Sequence, residues 1–416
     1  MSDFARIFLK PREEKEIEQG FPWVFDNEID FVKYQENGKK TQAPLSGCNV
    51  KDGSGVEVFT KAGGFLGTGI INRTSKITVR MIGNEHADKI YEDLSGYWSK
   101  RIHNAFNVRR LNYSDEDSYR LIFGEADLIP GLIVERYCTE AHKVYLVVQF
   151  LALSCEVFRD EILEALKKIC SPYGIYERSD ADVREKEGLA RTAGWIGAAR
   201  EETITIVENG IKLKVDLARG QKTGYFLDQK FNRRAAAHYC RGKKVLDAFC
   251  HTGAFGLNAA KAGAKEVICA DISPEAMETV RENIKINGFE KIIRTECADV
   301  FDLLKKYEAG GEKFDVIILD PPAFTKSAKM IKKAYGGYKE INLRAMRLLN
   351  EGGFLVTCSC SYFFDSVTFY SMLMHAATDS HKRVQIIEKR GAAYDHPVLL
   401  GDPKSEYLKC AIARII

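Results

Sequence analysis

The sequence lacks the segments that would direct it to a membrane or to an oxidising compartment. Its first 16 residues contain no apolar core of the signal-peptide type, and its most apolar stretch, 144–155, is too short to span a bilayer. The 11 cysteines show no C-x-x-C pairing and no accompanying histidine cluster. We therefore expect free thiols, a cytoplasmic location, no membrane partner and no bound metal.

A strong charge of one sign is also absent. The formal net charge is +3, from 61 Lys and Arg against 58 Asp and Glu, so total charge alone identifies no nucleic-acid partner. Hydrophobic residues make up 45% and charged residues 29%, which excludes collagen-like, disordered and small disulfide-rich classes. A chain of 416 residues predicts two or three domains.

Three segments differ in their hydrophobic pattern. Residues 1–82 predict short strands separated by turn residues, as in a small β-barrel. Residues 83–200 mix helical and strand patterns, which predicts a central α+β domain. In the last segment, 201–416, a hairpin is followed by short apolar runs that alternate with helices, and two final runs could pair antiparallel. This pattern predicts a doubly wound α/β sheet of the Rossmann-like class.

The residues at the carboxyl ends of these strands predict a nucleotide-like cofactor, because ligands of such sheets bind there. The loop from Cys250 to Gly256 is glycine-rich but has His251 where a dinucleotide-binding loop has its first glycine. S-adenosylmethionine has no phosphate and needs only a loop that turns beneath its amino-acid end. Asp271 is then placed to accept the ribose hydroxyls and Asp299 to meet the adenine amino group. Each carboxylate taken alone could equally cap a loop or a helix.

Two further motifs carry candidate chemistry. Asp320-Pro-Pro follows the fourth strand as a stiff turn, and Cys358 and Cys360 follow the fifth. A thiolate that adds to carbon 6 of cytosine makes carbon 5 reactive toward a methyl donor, and the base must then be unpaired or flipped out. Either cysteine could instead be an inert core residue. Residues 219–244 carry eight Lys and Arg against one acid, which fits phosphate binding or a solvated helix.

Several motifs, taken in order, resemble the 23S rRNA cytosine-5 methyltransferases of the ribosomal RNA large subunit methyltransferase I group. They are GQKTGYFLDQ (220–229), VLDAFCHTGAFG (245–256), ILDPPAF (318–324), TCSCS (357–361) and DHPV (395–398). Residues 9–25 are similar to that family's PUA domain, and residues 124–137 to its central domain. The resemblance implies an N-terminal β-barrel PUA RNA-binding domain (1–82), a central α+β domain (83–200) and a class I methyltransferase domain (201–416).

The resemblance also implies a site. The family's nucleophile is the cysteine of Ser-Cys-Ser, which is Cys360 here, with Cys358 as a neighbour. The chemistry of the addition adds Asp320 as a catalytic residue, because its carboxylate can hydrogen-bond the pyrimidine edge and hold a protonated nitrogen. Ala323 follows the two prolines, which implies a single-cysteine mechanism. The residues expected to bind S-adenosylmethionine are Asp247, Phe249, Thr252, Gly253, Asp271, Ile272, Asp299, Asp320, Thr223 and Tyr225, with Lys222 and Asp228 as further candidates.

The leading hypothesis is an S-adenosylmethionine-dependent enzyme that forms 5-methylcytosine in 23S rRNA through a Cys360–carbon 6 adduct. An alternative enzyme would methylate an exocyclic base nitrogen, with Asp320-Pro-Pro holding the amine, Phe324 stacking on the base and no nucleophile. A third hypothesis is a non-enzymatic RNA-binding assembly factor. A homodimer is left open.

Overall fold

The computed structural model of the protein describes residues 4–325 and 327–416. The chain divides into two compact units. The N-terminal unit runs up to Ile204 and includes Asp216–Tyr225 and Tyr394–Ser405. The C-terminal unit comprises Thr205–Val215, Phe226–Ala393 and Glu406–Ile416. The three-domain division of the sequence stays a prediction.

The first part of the N-terminal unit contains a mostly antiparallel sheet and helix α1 (Glu14–Glu18). Its strands are β1 (Ala5–Leu9), β2 (Trp23–Phe25), β3 (Ile29–Glu36), β4 (Lys39–Ala43), β5 (Gly55–Phe59), β6 (Phe65–Ile71) and β7 (Ile77–Gly83). They are ordered β2-β7-β6-β5-β1-β3-β4. Alternate apolar residues such as Ile7, Leu9, Val56 and Val58 form the core on one face, as the period of two in a strand requires.

A second sheet follows in the same unit, with the order β12-β11-β10-β9-β8. Its strands are β8 (Tyr119–Phe123), β9 (Leu132–Cys138), β10 (Val144–Phe150), β11 (Gly174–Ser179) and β12 (Thr192–Ile196), and its helices are α2 (Ala87–Glu92), α3 (Leu94–Arg110), α4 (Leu153–Glu156), α5 (Arg159–Cys170) and α6 (Val183–Lys186). The apolar spacing at 85–111 predicts one helix, but Asp93 separates α2 from α3 and caps α3 by accepting from the Gly96 amide.

A hairpin of β13 (Thr203–Glu208) and β14 (Ile211–Asp216) turns at Asn209-Gly210, as predicted. Both turn residues have positive φ. The large sheet of the C-terminal unit follows. Its strands are β15 (Lys244–Ala248), β16 (Glu266–Asp271), β17 (Ile293–Cys297), β18 (Phe314–Leu319), β19 (Leu349–Ser359), β20 (Val384–Arg390) and β21 (Lys409–Ile415). Its helices are α7 (Lys230–Ala237), α8 (Ala254–Lys261), α9 (Pro274–Asn287), α10 (Val300–Ala309), α11 (Ile331–Leu348) and α12 (Ser366–Asp379).

The order of this sheet is β17-β16-β15-β18-β19-β21-β20, with the first five strands parallel and β21 antiparallel to both of its neighbours. The predicted doubly wound sheet and its antiparallel closing pair are therefore confirmed. Strand order reverses between β15 and β18, which places a crevice at their carboxyl ends. Ser273 caps α9, with Pro274 in its first turn, as the sequence predicts. Within the described ranges, no helix combines the length and apolar character needed to cross a membrane.

Candidate functional site

The loop after β15 has a backbone conformation that few residues adopt. Phe249, His251 and Gly253 have φ values of 61°, 50° and 78°. Positive φ is costly for residues with a Cβ, and such strain concentrates at ligand sites. The Gly253 amide donates to the Cys250 carbonyl at 2.7 Å, and Gly253 is the N-cap residue of α8. The loop is therefore a tight turn at the edge where a ligand would sit.

Asp247 binds this loop through its carboxylate. Its buried carboxylate accepts from the Gly256 amide at 2.7 Å, while its Oδ1 atom is buried without a hydrogen-bond partner in the described structure. A Cβ on Gly256 would lie 2.4 Å from the Cys269 sulfur and 3.1 Å from Asp247 Oδ2, so glycine alone permits this approach. Burial raises the pKa of Asp247 to about 8; the Gly256 amide opposes the shift and the charge of Asp320 adds to it.

Asp271, at the end of β16, links the loop to α9. Its two oxygens accept from the backbone amides of His251 at 2.9 Å and Ser273 at 3.0 Å. A carboxylate has about four acceptor positions, so two donors leave capacity for ribose hydroxyls. Ile272 follows it and is 65% exposed. Burial lowers the pKa of His251 to about 4, so its ring is neutral at physiological pH.

The remaining predicted residues on this side of the sheet have structural partners of their own. Asp299 is exposed and caps α10 by accepting from the Phe301 amide at 2.8 Å, the local role that the sequence leaves open. The Thr252 carbonyl accepts from Asn283, and Phe249 lies edge-on to Phe324. None of these contacts tests a cofactor role, which stays a prediction for each residue.

Asp320 directly follows β18, at the same edge of the sheet as the loop after β15. It is half-buried, and its Oδ1 accepts from Gln229 Nε2 at 2.9 Å. Gln229 is 2% exposed and is fixed in turn by Asn232, which donates to it at 2.6 Å. Arg390 donates to Asn232 Oδ1 at 2.9 Å. Sequence reasoning missed Gln229 as a partner of Asp320, although it is the last residue of the GQKTGYFLDQ motif.

The two cysteines beside Asp320 differ sharply in environment. Cys358 is fully buried in β19 opposite Cys410 of β21, and hydrogen bonding to Cys410 together with burial raises its pKa well above the usual value. Cys360 lies just beyond the end of β19 and is partly exposed. Because Leu319 is in register with Thr357, Asp320 and Cys360 leave the sheet at the same edge.

Thr223 and Tyr225 belong to the N-terminal unit, where both are buried. Thr223 donates to Glu135 at 2.9 Å, and its carbonyl accepts from the Tyr137 hydroxyl at 3.1 Å. Their predicted contact with a cofactor is therefore untested.

The basic segment 219–244 exposes less charge than its composition suggests. Arg233 is buried in an ion pair with Glu208 at 2.8 Å, and Lys230 is also buried. Arg219 pairs with Asp216 at 3.1 Å but stays exposed. The phosphate-binding surface expected from this run is correspondingly smaller than eight cations.

Two family models match different parts of the chain. The model of an S-adenosylmethionine-dependent methyltransferase family matches residues 183–392, and that of a PUA-like domain matches residues 7–84. The chain is 41% identical to the ribosomal RNA large subunit methyltransferase I of Shewanella denitrificans, over 99% of both chains. It is 38% identical to the protein of that name from Aeromonas hydrophila, again over 99% of both chains.

Solved structures share the fold. A Streptococcus mutans protein assigned as a SAM-dependent methyltransferase superposes with a TM-score of 0.78 over 98% of this chain and 99% of its own, at 21% identity. A methyltransferase complexed with SAH gives a TM-score of 0.79, also at 21% identity, over 98% of this chain and 99% of that one. The PUA-like domain and the class I methyltransferase domain expected from the sequence are thus confirmed.

The methyltransferase domain uses S-adenosylmethionine, and its loop suits that cofactor. The unpartnered Asp247 oxygen and the close approach at Gly256 form a cradle that a larger residue would fill. Asp271 keeps acceptor capacity for hydroxyl groups. Together with the full-length identity to its relatives, these features show that the chain belongs to the ribosomal RNA large subunit methyltransferase I family.

Proposed function

We propose that this protein forms 5-methylcytosine in 23S rRNA through a covalent adduct between Cys360 and carbon 6 of the base. The coarser part of this function, S-adenosylmethionine-dependent methylation of large-subunit rRNA, follows from relatives that carry that name at about 40% identity over the full chain. The finer part depends on the chemistry of the β18–β19 edge. A cytoplasmic location and a homodimer stay predictions.

The observation that carries the proposal is the contrast between the two thiols. Cys358 is fully buried and shares a hydrogen bond with Cys410, so it is an inert core residue. Cys360 is partly exposed at the edge where β18 presents Asp320. A nucleophile must reach its substrate, and only the second thiol meets that requirement.

In the proposed reaction, Cys360 and Asp320 have different roles. The Cys360 thiolate adds to carbon 6, the carbon 5–carbon 6 double bond opens, and carbon 5 becomes nucleophilic. Asp320, held by Gln229, hydrogen-bonds the pyrimidine edge and stabilises a protonated ring nitrogen during the addition. When bound, S-adenosylmethionine supplies an electrophilic methyl group. Carbon 5 bonds to that methyl group and then loses its proton to water. The electrons of the broken C–H bond restore the double bond and expel the Cys360 thiolate.

The alternative nitrogen chemistry fits less well. It needs the Phe324 ring as a stacking platform for the target base. That ring packs against Tyr338, with centroids 4.5 Å apart, and against Phe301 at 5.9 Å. Phe324 therefore contributes to the core beside the site, which leaves less of its ring for a base.

The test is the identity of the product. Purified protein is incubated separately with 23S and with 16S rRNA transcripts in the presence of S-adenosylmethionine, and each RNA is digested to nucleosides for mass spectrometry. We expect 5-methylcytidine from wild type and from Cys358→Ala. A methyl group on an exocyclic nitrogen would overturn the proposed carbon chemistry, and methylation of small-subunit rRNA alone would overturn the substrate.

A further inference from the structure

Lys409 is a buried cation with unusual partners. It is the first residue of β21, is 4% exposed, and lies opposite Ser359 in the register of the antiparallel pair. Its ammonium donates to the carbonyls of Ser361 at 2.6 Å and Tyr407 at 2.8 Å. Among the residues that the structure describes, no carboxylate forms an ion pair with it. A buried charge without an ionic partner is costly, so a nearby anion is expected.

The geometry points to Cys360 as the source of that anion. Ser359 lies across from Lys409, and the carbonyl of Ser361 binds the ammonium, so the Lys409 side chain spans the turn that carries Cys360. The charges of Cys360, Asp365 and Glu406 oppose the lowering of the Lys409 pKa by burial, with Cys360 first among them. The arrangement therefore places a buried ammonium against the turn that carries the thiol.

We propose that Lys409 is a positioning residue that fixes the Ser359–Ser361 turn and stabilises Cys360 as a thiolate. The proposal rests on the proposed function of Cys360 as the nucleophile. A free thiol has a pKa of about 8.5, so only a few per cent is ionised at neutral pH, and an adjacent cation increases that fraction. Lysine is suited to this task because its ammonium acts as a compact point charge.

The pKa of Lys409 sets the pH range over which its ammonium can stabilise the thiolate. Burial lowers the pKa of Lys409 to about 8, while Cys360, Asp365 and Glu406 oppose the shift. The ammonium is therefore mostly charged at pH 7 and loses its charge as the pH rises through about 8. The Tyr338 hydroxyl shares a hydrogen bond with Ser361 Oγ at 3.2 Å, and burial raises the pKa of that hydroxyl, so it stays neutral over that range.

The experiment measures the reactivity of Cys360 without RNA. Full-length wild type, Lys409→Met, Lys409→Gln and Lys409→Arg react with iodoacetamide from about pH 6 to pH 10, and mass spectrometry of the Cys360 peptide gives the rate at that thiol. Thermal unfolding checks that each variant is folded. Lys409→Gln keeps a hydrogen-bond donor for the carbonyls without the charge, so it separates charge from anchoring.

We expect the midpoint pH of alkylation to rise in Lys409→Met and Lys409→Gln, and the rate at neutral pH to fall about tenfold for every pH unit by which that midpoint rises. Lys409→Arg should stay close to wild type. Unchanged midpoints in folded Met and Gln variants would overturn the proposal and leave Lys409 as an anchor of the turn. That result would not affect the Cys360 adduct, which is detected separately on RNA, whereas loss of the adduct would not change the alkylation profile.

Discussion

The two halves of the strand-end edge are held by different kinds of contact. On the β15–β16 side, the carboxylates are bound by backbone amides close in sequence: Asp247 by Gly256, nine residues away, and Asp271 by His251, 20 residues away. On the β18–β19 side, the side-chain contacts span 91 residues from Gln229 to Asp320 and 48 residues from Ser361 to Lys409. The first half is a local motif, whereas the second exists only once distant strands have paired.

Removing the proposed nucleophile should have the largest effect and would sharpen this comparison. We expect Cys360→Ala to lower the methylation rate by roughly 10³-fold or more, because a covalent step is lost. Cofactor affinity should hardly change, since the loop after β15 is untouched. Turnover is measured with radiolabelled methyl donor and affinity by calorimetry. Cys358→Ala is the matched control and should stay within a few-fold of wild type; equal losses in both variants would contradict the distinction between the thiols.

The next largest effect is expected at Asp320. Asp320→Asn keeps an oxygen for Gln229 but removes the negative charge that would stabilise a protonated base, so kcat should fall by about 10²-fold. Gln229→Leu leaves the carboxylate but removes its donor, and we expect a smaller loss of about tenfold. Steady-state kinetics on an rRNA fragment checks both values. A larger loss in Gln229→Leu than in Asp320→Asn would reverse the assigned roles.

A substitution in the loop after β15 should weaken cofactor binding and lower the stability of the protein. Gly256→Ala introduces a Cβ that would lie 2.4 Å from the Cys269 sulfur. We expect the free energy of unfolding to fall by about 1–3 kcal/mol and the affinity for S-adenosylmethionine to fall with it, because the loop must move. Gly336→Ala, in the exposed part of α11 with no atom within 4 Å of the added Cβ, is the control and should stabilise slightly. Normal cofactor affinity in Gly256→Ala would show that the close approach is unnecessary.

The last expected effect concerns stability rather than turnover, and it is a pH dependence that arises from Asp247. Its pKa is about 8 in the folded protein and about 4 when unfolded, so between these values the folded state binds the extra proton. The free energy of unfolding should therefore fall as pH rises through that window. Urea unfolding of the ligand-free protein at several pH values should show a shallower slope for Asp247→Asn. Asp302→Asn, at an exposed carboxylate of α10, is the matched control; an unchanged slope in Asp247→Asn would contradict the assignment.

The sequence predicts those features whose causes are local. The Asn209-Gly210 turn, the Ser273 cap and the alternating apolar strands follow from the conformational preferences of a few neighbouring residues. The break between α2 and α3 at Asp93 escapes prediction because apolar spacing continues across a residue that is itself a good helix cap.

The remaining misses have a tertiary cause. Arg233 counts as a surface charge in composition but is buried against Glu208, because α7 packs that face inward. Lys409 stands in an apolar strand with nothing in its own neighbourhood to indicate Cys360 as its counterpart. Only the register of β19 with β21 brings the two together.

The covalent bond between Cys360 and the base underlies the whole proposed mechanism, and trapping the adduct is its most direct test. An rRNA fragment with 5-fluorocytosine at the target is incubated with protein and S-adenosylmethionine, and the crosslinked peptide is sequenced by mass spectrometry. Because fluorine cannot leave as a proton does, we expect a stable adduct on Cys360. An adduct on Cys358, or no adduct from a preparation that methylates the unmodified RNA, would refute the proposed bond.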